Sequence, residues 1–247
     1  MKYSVQLLLC LLVLNVSFVQ AQSFEGMLTL TTSTAPDKIP VMTIKGDKSV
    51  LEIRMDSIQT IKLIKDLGAE TVTILRTKKD LKYGYRTANS AGPEFTDQLA
   101  SPAAAKVEVI ITQQEKYIGQ YRCVKVNLTS PDVEAEAWVT KDLDIKLSTY
   151  FPQFFGSDAN ADLAVIRQLA DQEGLILNYQ ETHKRDTTVT LIDVLVEEKD
   201  ISIDAFAIDP GFLVLDEEGI KRLYEQAQSD PVKKKQWEEF HEIFGSK

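Results

Sequence analysis

The feature that most constrains the fold is a long series of short apolar segments separated by short polar turns, from residue 23 to about residue 150. Gly46-Asp47 and Lys79-Asp80 are two such turns, each lying between β-branched or apolar runs. Two-residue turns can join antiparallel strands, whereas a parallel crossover needs a dozen or more residues. The sequence therefore predicts an antiparallel meander, with strands at residues 24–31, 41–44, 50–55, 58–64, 71–77, 81–86, 107–112, 121–128, 134–140, 175–181 and 187–197.

Three segments have the residue spacing of amphipathic helices. The first is predicted at residues 160–172. Asp216 is predicted to cap a second helix, and Asp230-Pro231 combines a capping residue with a first-turn proline that begins a third. Residues 88–105 are rich in Gly, Pro, Ser and Ala and are predicted to form a loop. This loop is interpreted either as a lid or rim of a site or as a disordered connector.

The amino terminus has the pattern of a secretory signal. Lys2 supplies a positive charge, residues 7–13 form an apolar core, and Val19-Gln20-Ala21 precedes the expected cleavage point. The apolar run is shorter than the roughly 20 residues that span a bilayer. We therefore expect residues 1–21 to be removed, a location in the periplasm or outside the cell, and no transmembrane anchor after cleavage.

Composition excludes several classes of function. The chain of 247 residues has 28 Lys and Arg against 37 Asp and Glu, a net charge of −9, so no nucleic-acid partner is expected. Its 44% hydrophobic residues are enough to build a core. After signal cleavage Cys123 would be the single cysteine beside two histidines, which leaves little material for a metal or haem site. We expect no cofactor, no metal ligands and no internal disulfide.

The sequence shows none of the familiar catalytic motifs, so an enzyme is not expected and no catalytic residue is assigned. His183 lies near Asp186, but both belong to a charged hairpin turn, and that pattern is typical of a solvated turn. A glycosidase that uses two carboxylates stays open, because such acids need only meet in space.

Several predicted strands are apolar on both faces, and this is the main pointer to a binding site. A sheet with one face in water alternates more strictly between apolar and polar residues. Two interpretations follow: the chain's own helices, at 160–172 and at the C-terminus, cover the second face, or part of that face lines a groove for an apolar ligand. The candidate ligand-binding residues are Trp138, Val139, Ile192, Val194 and Val196. The C-terminal amphipathic helices likewise either pack on the sheet or dock on a membrane or a partner.

Two adjacent segments resemble an exported bacterial family of unknown function. These are Tyr117-Ile118-Gly119-Gln120-Tyr121-Arg122-Cys123-Val124-Lys125 and Glu136-Ala137-Trp138-Val139-Thr140-Lys141-Asp142-Leu143. The opening Phe24-Glu25-Gly26 and the segment from Phe206 to Phe212 are similar to that family's first and last strands. The resemblance implies a curved antiparallel sheet, an incomplete barrel, wrapped around a helix as in the lipoprotein carriers LolA and LolB. Those carriers hold acyl chains against the concave face of the sheet.

Taken together, these patterns predict an α+β protein with a signal peptide at 1–21, an antiparallel half-barrel domain at 22–212 and a C-terminal helical extension at 213–247. The leading hypothesis is an exported envelope protein that binds an apolar ligand, such as a lipid or a lipoprotein acyl chain. The alternative is a non-enzymatic structural or interaction module that docks an envelope protein through its C-terminal helices.

Overall fold

One large sheet dominates the molecule. The computed structural model describes residues 24–88, 108–143, 145 and 174–245. Within these residues twelve strands hydrogen-bond in the order β12-β6-β5-β4-β3-β2-β1-β11-β10-β9-β8-β7. Their bounds are β1 Glu25–Thr32, β2 Val41–Lys45, β3 Lys48–Arg54, β4 Gln59–Asp66, β5 Thr71–Lys78, β6 Leu81–Ala88, β7 Glu108–Ile118, β8 Tyr121–Thr129, β9 Val133–Thr140, β10 Leu175–His183, β11 Val189–Glu198 and β12 Leu213–Leu215. The sheet is not closed into a barrel, because β12 and β7 lie at opposite ends of this order.

The predicted antiparallel pairing is confirmed, since ten of the eleven strand pairs are antiparallel and only β12 runs parallel to its neighbour β6. The strands do not form one continuous meander, however: β1–β6 and β7–β11 are two meanders, and β1 pairs with β11 to join them. The predicted two-residue turns are present as well. Lys45 pairs with Lys48 around Gly46-Asp47, and Gly46 has a φ of +58°, a conformation that glycine adopts without steric cost.

The two predicted C-terminal helices are confirmed at α1, Glu217–Ala227, and α2, Pro231–Phe244. The side chain of Asp216 accepts a hydrogen bond from the backbone of Gly219, and that of Asp230 accepts from Val232 and Lys233. These carboxylates satisfy amide groups that the first helical turn leaves without partners. The predicted helix at 160–172 and most of the predicted loop at 88–105 lie outside the described residues.

The helices pack on the end of the sheet that is formed by β6 and β12. Leu223 of α1 and Phe240 and Ile243 of α2 are buried in one cluster with Tyr83 of β6. The Tyr83 hydroxyl donates to Glu239 at 2.6 Å, and its ring meets that of Phe240 edge-on at 6.0 Å. Part of the helices' apolar surface is therefore buried against the chain's own sheet. Docking of an envelope partner on these helices stays a prediction.

Two sequence expectations need correction. The segment similar to a last strand, residues 206–212, is not a strand: a 3₁₀ helix covers Ile203–Phe206 and a turn follows at Pro210. Proline lacks the amide that a strand ladder requires, which is consistent with this result. The short strand β12 was not predicted, and it places Leu213–Leu215 in the sheet ahead of the helices. The division into domains stays a prediction.

The faces of β1–β6 carry different clusters because successive side chains on a strand point to opposite sides. We call the inner face the one that carries Leu28, Met42, Leu51, Leu63 and Ile74, which are all buried. The main cluster on this face also includes residues from the other half of the chain: Tyr121, Cys123, Leu143, Ile145, Leu175 and Leu177. Over the described strands, the inner face is thus covered by the protein's own side chains.

The opposite side, the outer face, carries Val50, Ile64 and Leu75. It is covered by residues 199–212, which run from the end of β11 to the start of β12 and which we call the strap. Ile201 and Phe206 of the strap are buried against this face. Strands β3–β5 are therefore apolar on both faces because a segment of the chain itself covers the second face.

Candidate functional site

Three lysines on alternate strands of the outer face hold the strap. Lys45 on β2 contacts the start of the strap, Lys62 on β4 its middle, and Lys82 on β6 its end. All three sit at positions whose side chains point to the outer face, which places them in a row across the sheet beneath the strap.

The contact at the start of the strap is a network around Lys45. Its ammonium donates to Glu25 Oε1 at 2.7 Å, to Asp200 Oδ1 at 3.1 Å and to the carbonyl of Ile201 at 2.7 Å. The backbone amide of Ile201 donates to the same Glu25 oxygen at 2.6 Å. The hydrogen bonds to Glu25 and then to Asp200 raise the pKa of Lys45, so this group stays charged over the neutral range.

The other two lysines hold the middle and the end of the strap. Lys62 Nζ donates to the carbonyl of Ala205 at 3.3 Å, within the 3₁₀ helix. Lys82 Nζ pairs with Asp209 Oδ2 at 2.8 Å, and the other oxygen of Asp209 accepts from the amide of Gly211 at 2.8 Å. The hydrogen bond from Lys82 is the main cause that lowers the pKa of Asp209.

A cleft of about 330 Å³ lies between the strap and the β3–β4 hairpin. The sheet contributes one wall and the strap the other. Its lining residues are Lys48, Ile64, Lys65 and Asp66 from the sheet and Ile203, Asp204, Phe206 and Ala207 from the strap. Ile64 and Phe206 are buried, whereas Ile203 is 57% exposed. The cleft therefore combines apolar side chains with a charged rim.

The rim carries two carboxylates and one side-chain ammonium on the outer face. Lys48 is paired with Asp66, and Asp66 Oδ1 also accepts from the backbone amide of Ala69 at 2.9 Å. The hydrogen bond from Lys48 is the largest cause that lowers the pKa of Asp66, so this carboxyl is ionised at neutral pH. Asp204 adds a second carboxylate, and its backbone amide donates to Ser202 Oγ at 3.2 Å. On the outer face the rim thus has one carboxylate more than it has ammonium groups, while Lys65, also a lining residue, is buried on the inner face.

The candidate residues predicted from the sequence lie elsewhere and divide between two clusters. Trp138, Val194 and Val196 pack against the main cluster. Val139 and Ile192 pack with Val126, Leu128, Val133, Ala135, Ala137, Ile176 and Tyr179 in a second cluster. Trp138 and Val139 are successive residues of β9 and so point to opposite sides of it. The structure does not bring the five residues together, and a ligand-binding role for them stays a prediction.

Trp138 has polar neighbours as well. Its indole nitrogen donates to Glu136 Oε1 at 3.2 Å, and the Lys116 ammonium lies 4.1 Å from the ring centroid. This distance is well inside the range in which a cation is attracted to an aromatic face. Lys125 pairs with Glu136 at 2.5 Å, so the ring lies beneath a small network of charges.

None of the residues that line the cleft was predicted to belong to a binding site, because the two walls are more than a hundred residues apart in the chain. The signal that could have pointed to them is the set of outward-facing lysines in otherwise apolar strands.

The inner face holds a pair of buried polar side chains: Ser49 and Lys65 are paired across β3 and β4 and are 0% and 2% exposed. Burial lowers the pKa of Lys65, and among the described residues the hydroxyl of Ser49 has no hydrogen-bond partner.

The described residues show neither a metal site nor a membrane-spanning helix. No group of three or more His, Cys, Asp or Glu side chains within them is placed to hold a metal ion. None of the helices they form is long and apolar enough to cross a lipid bilayer.

No protein-family model matches the chain, and no curated protein matches it. Among solved structures, PNGF-II in its C2 and P21 crystal forms aligns with 81% and 79% of the chain, at 15% and 14% identity and a TM-score of 0.39 for each. The chain spans about a third, 32%, of the PNGF-II chain. A LolA superfamily protein from Nitrosomonas europaea aligns with 76% of this chain and 91% of its own, at 11% identity and a TM-score of 0.28. Scores of this size do not establish a shared fold, so the resemblance to LolA and LolB stays a prediction.

Proposed function

We propose that this protein is an exported envelope protein that binds an apolar ligand, such as the acyl chain of a lipid or lipoprotein, in the cleft beneath the strap. The observation that carries the proposal is the cleft itself, with Ile64 and Phe206 among its lining residues. Its volume of about 330 Å³ lies at the lower end of the range of roughly 300–1,000 Å³ that is typical of ligand sites. Such sites are mostly apolar and carry a few polar groups that orient the ligand.

The rim limits which head group the ligand carries. Lys48 is already paired with Asp66, and Asp204 adds a further negative charge at the edge. A carboxylate or phosphate head group would meet the charge of Asp204 there, next to an Asp66 whose charge Lys48 offsets, and like charges repel. The cleft therefore favours an amphiphile with a neutral or zwitterionic head group over a free fatty acid.

The same electrostatics favour a binding protein over an enzyme. A carboxyl group that acts as a general acid near neutral pH needs a raised pKa. Asp66 has the opposite shift, because the Lys48 ammonium stabilises its ionised form. We accordingly propose no reaction at this cleft.

Native mass spectrometry of the protein purified from its own envelope tests the proposal. We expect an adduct with the mass of a neutral or zwitterionic lipid on a fraction of the molecules. A protein that retains no lipid and takes up none from mixed micelles would contradict the proposal.

A variant that obstructs the cleft shows whether this is the site that holds the lipid. Ala207 lines the cleft and is exposed, so Ala207→Trp should fill part of the opening at little cost to the fold. Ser229, in the turn between α1 and α2, provides the matched control Ser229→Trp. We expect the adduct to be lost from Ala207→Trp and kept by Ser229→Trp. An adduct of equal intensity in both variants would place the lipid elsewhere.

A further inference from the structure

We infer that the strap is the gate of the cleft, and that its lysine contacts set how fast a ligand enters and leaves. The inference rests on the proposed function, because it concerns the same cleft. It goes further in naming the moving part and the contacts that control it.

The first argument is that the strap provides half of the site. Ile203, Asp204, Phe206 and Ala207 form one wall, and the β3–β4 hairpin forms the other. Phe206 is 8% exposed and packs against the outer face. A ligand that reaches the buried side chains of this cleft must therefore pass between the strap and the sheet.

The second argument is that the strap can separate from the sheet beyond its first residues, where the amides of Lys199 and Ile201 donate to Glu25, without breaking the strand ladder. Two amides of the 3₁₀ turn donate within the strap: that of Ala205 to Ser202 and that of Ala207 to Asp204, both at 3.0 Å. The amide of Phe212 donates to Asp209, also within the strap. Segments whose backbone hydrogen bonds are local can open at a lower free energy than the strands beneath them.

The third argument concerns what holds the strap down. Along its length its polar attachments come from side chains of alternate strands, and the one at its end, Lys82 to Asp209, is a half-exposed ion pair. Lys62 reaches the carbonyl of Ala205, next to the buried Phe206. Exposed ion pairs are weak and are screened by salt, so such contacts can slow an opening without making it rare.

Stopped-flow fluorescence with N-phenyl-1-naphthylamine, a neutral apolar probe, tests the gate. The double variant Lys62→Met/Lys82→Met keeps the aliphatic stems and removes both ammonium groups. Because the strap covers the cleft in both the free and the bound protein, weaker attachments should speed entry and exit alike. We expect both rate constants to rise about tenfold, or about threefold for each contact, while the equilibrium affinity changes less than threefold.

The control is Lys78→Met. Lys78 pairs with Glu242 of α2 at 2.8 Å, and its exposure of 36% is close to the 41% of Lys82, but it does not hold the strap. We expect the rate constants for entry and exit of the probe in Lys78→Met to equal those of the wild type. Because salt screens ion pairs, we also expect added salt to accelerate probe binding to the wild type more than to the double variant.

Three possible results distinguish the gate from the proposed function. Rates that rise in the double variant and stay constant in Lys78→Met support the gate. Probe binding with unchanged rates in the double variant overturns the gate and leaves the proposed function intact. A wild-type protein that binds no probe overturns the proposed function and the gate with it.

Discussion

Replacing Phe206 by alanine tests whether the strap is a structural part of the fold. Phe206 is 8% exposed and belongs to a buried cluster with Val50, Ile64 and Leu75 of the sheet. Truncating a buried phenylalanine to alanine costs about 3–5 kcal/mol, through lost burial and the cavity that remains. We expect the lower end, about 3 kcal/mol, because the strap lies at the surface and can settle partly into the gap.

Urea denaturation monitored by the fluorescence of the two tryptophans measures this loss. With a slope of about 3 kcal/mol per molar urea, the midpoint should fall by about 1 M. Ile203 provides the control, because it lies on the same 3₁₀ turn but is 57% exposed. Ile203→Ala should change the free energy of unfolding by less than about 0.5 kcal/mol. A loss below about 1 kcal/mol for Phe206→Ala, or equal losses for both variants, would refute the packing of the strap on the outer face.

Three other predictions concern single groups. The hydrogen bond from Lys82 lowers the pKa of Asp209 below the ordinary carboxyl value of 3.8. This contact therefore stabilises the fold at higher pH, and its contribution is lost as the pH falls below 3.8. Between about pH 6 and about pH 2.5, the urea midpoint should fall less steeply for Asp209→Asn than for the wild type. Cys123 is fully buried and burial raises its pKa, so a thiol reagent should label it only after unfolding, and rapid labelling of the native protein would contradict this burial. Within the part of the chain that the structure describes, the buried hydroxyl of Ser49 has no partner, so Ser49→Ala should leave the stability unchanged or raise it by up to about 1 kcal/mol. Ser130→Ala removes the acceptor of a backbone hydrogen bond and should cost about 1 kcal/mol in the same urea titration.

The elements that the sequence predicted well are those with local causes. The hairpin turn at Gly46-Asp47 depends on a glycine with positive φ between two β-branched runs. The start of each C-terminal helix depends on a carboxylate, Asp216 or Asp230, that accepts from amides two or three residues ahead. Such signals need no knowledge of the rest of the fold.

The elements that it missed depend on contacts between distant residues. β12 is only three residues long, and it is a strand because it pairs with β6, about 130 residues earlier in the chain. The strap has no periodic pattern of its own. It is fixed by the burial of Ile201 and Phe206 on the outer face and by the row of lysines on β2, β4 and β6. An apolar pattern on both faces of a strand shows that both faces are covered, but it cannot say which segment covers them.

The cleft could not be predicted for the same reason. Ile64 and Phe206 meet across it although about 140 residues separate them in the chain. The predicted ligand-binding residues were chosen as apolar positions on two-faced strands. Such positions are where a core forms as well as where a ligand binds, and Val139 and Val194 are indeed buried in clusters.

Photoaffinity mapping tests the central claim most directly. A monoacylglycerol that carries a diazirine in its acyl chain would be bound to the full-length protein, irradiated and located by peptide mass spectrometry. If the lipid binds in the cleft, we expect labels on the peptides that contain Ile64 and Phe206. Labels confined to peptides with Trp138, Val194 or Val196, or no saturable labelling at any concentration of the lipid, would contradict it.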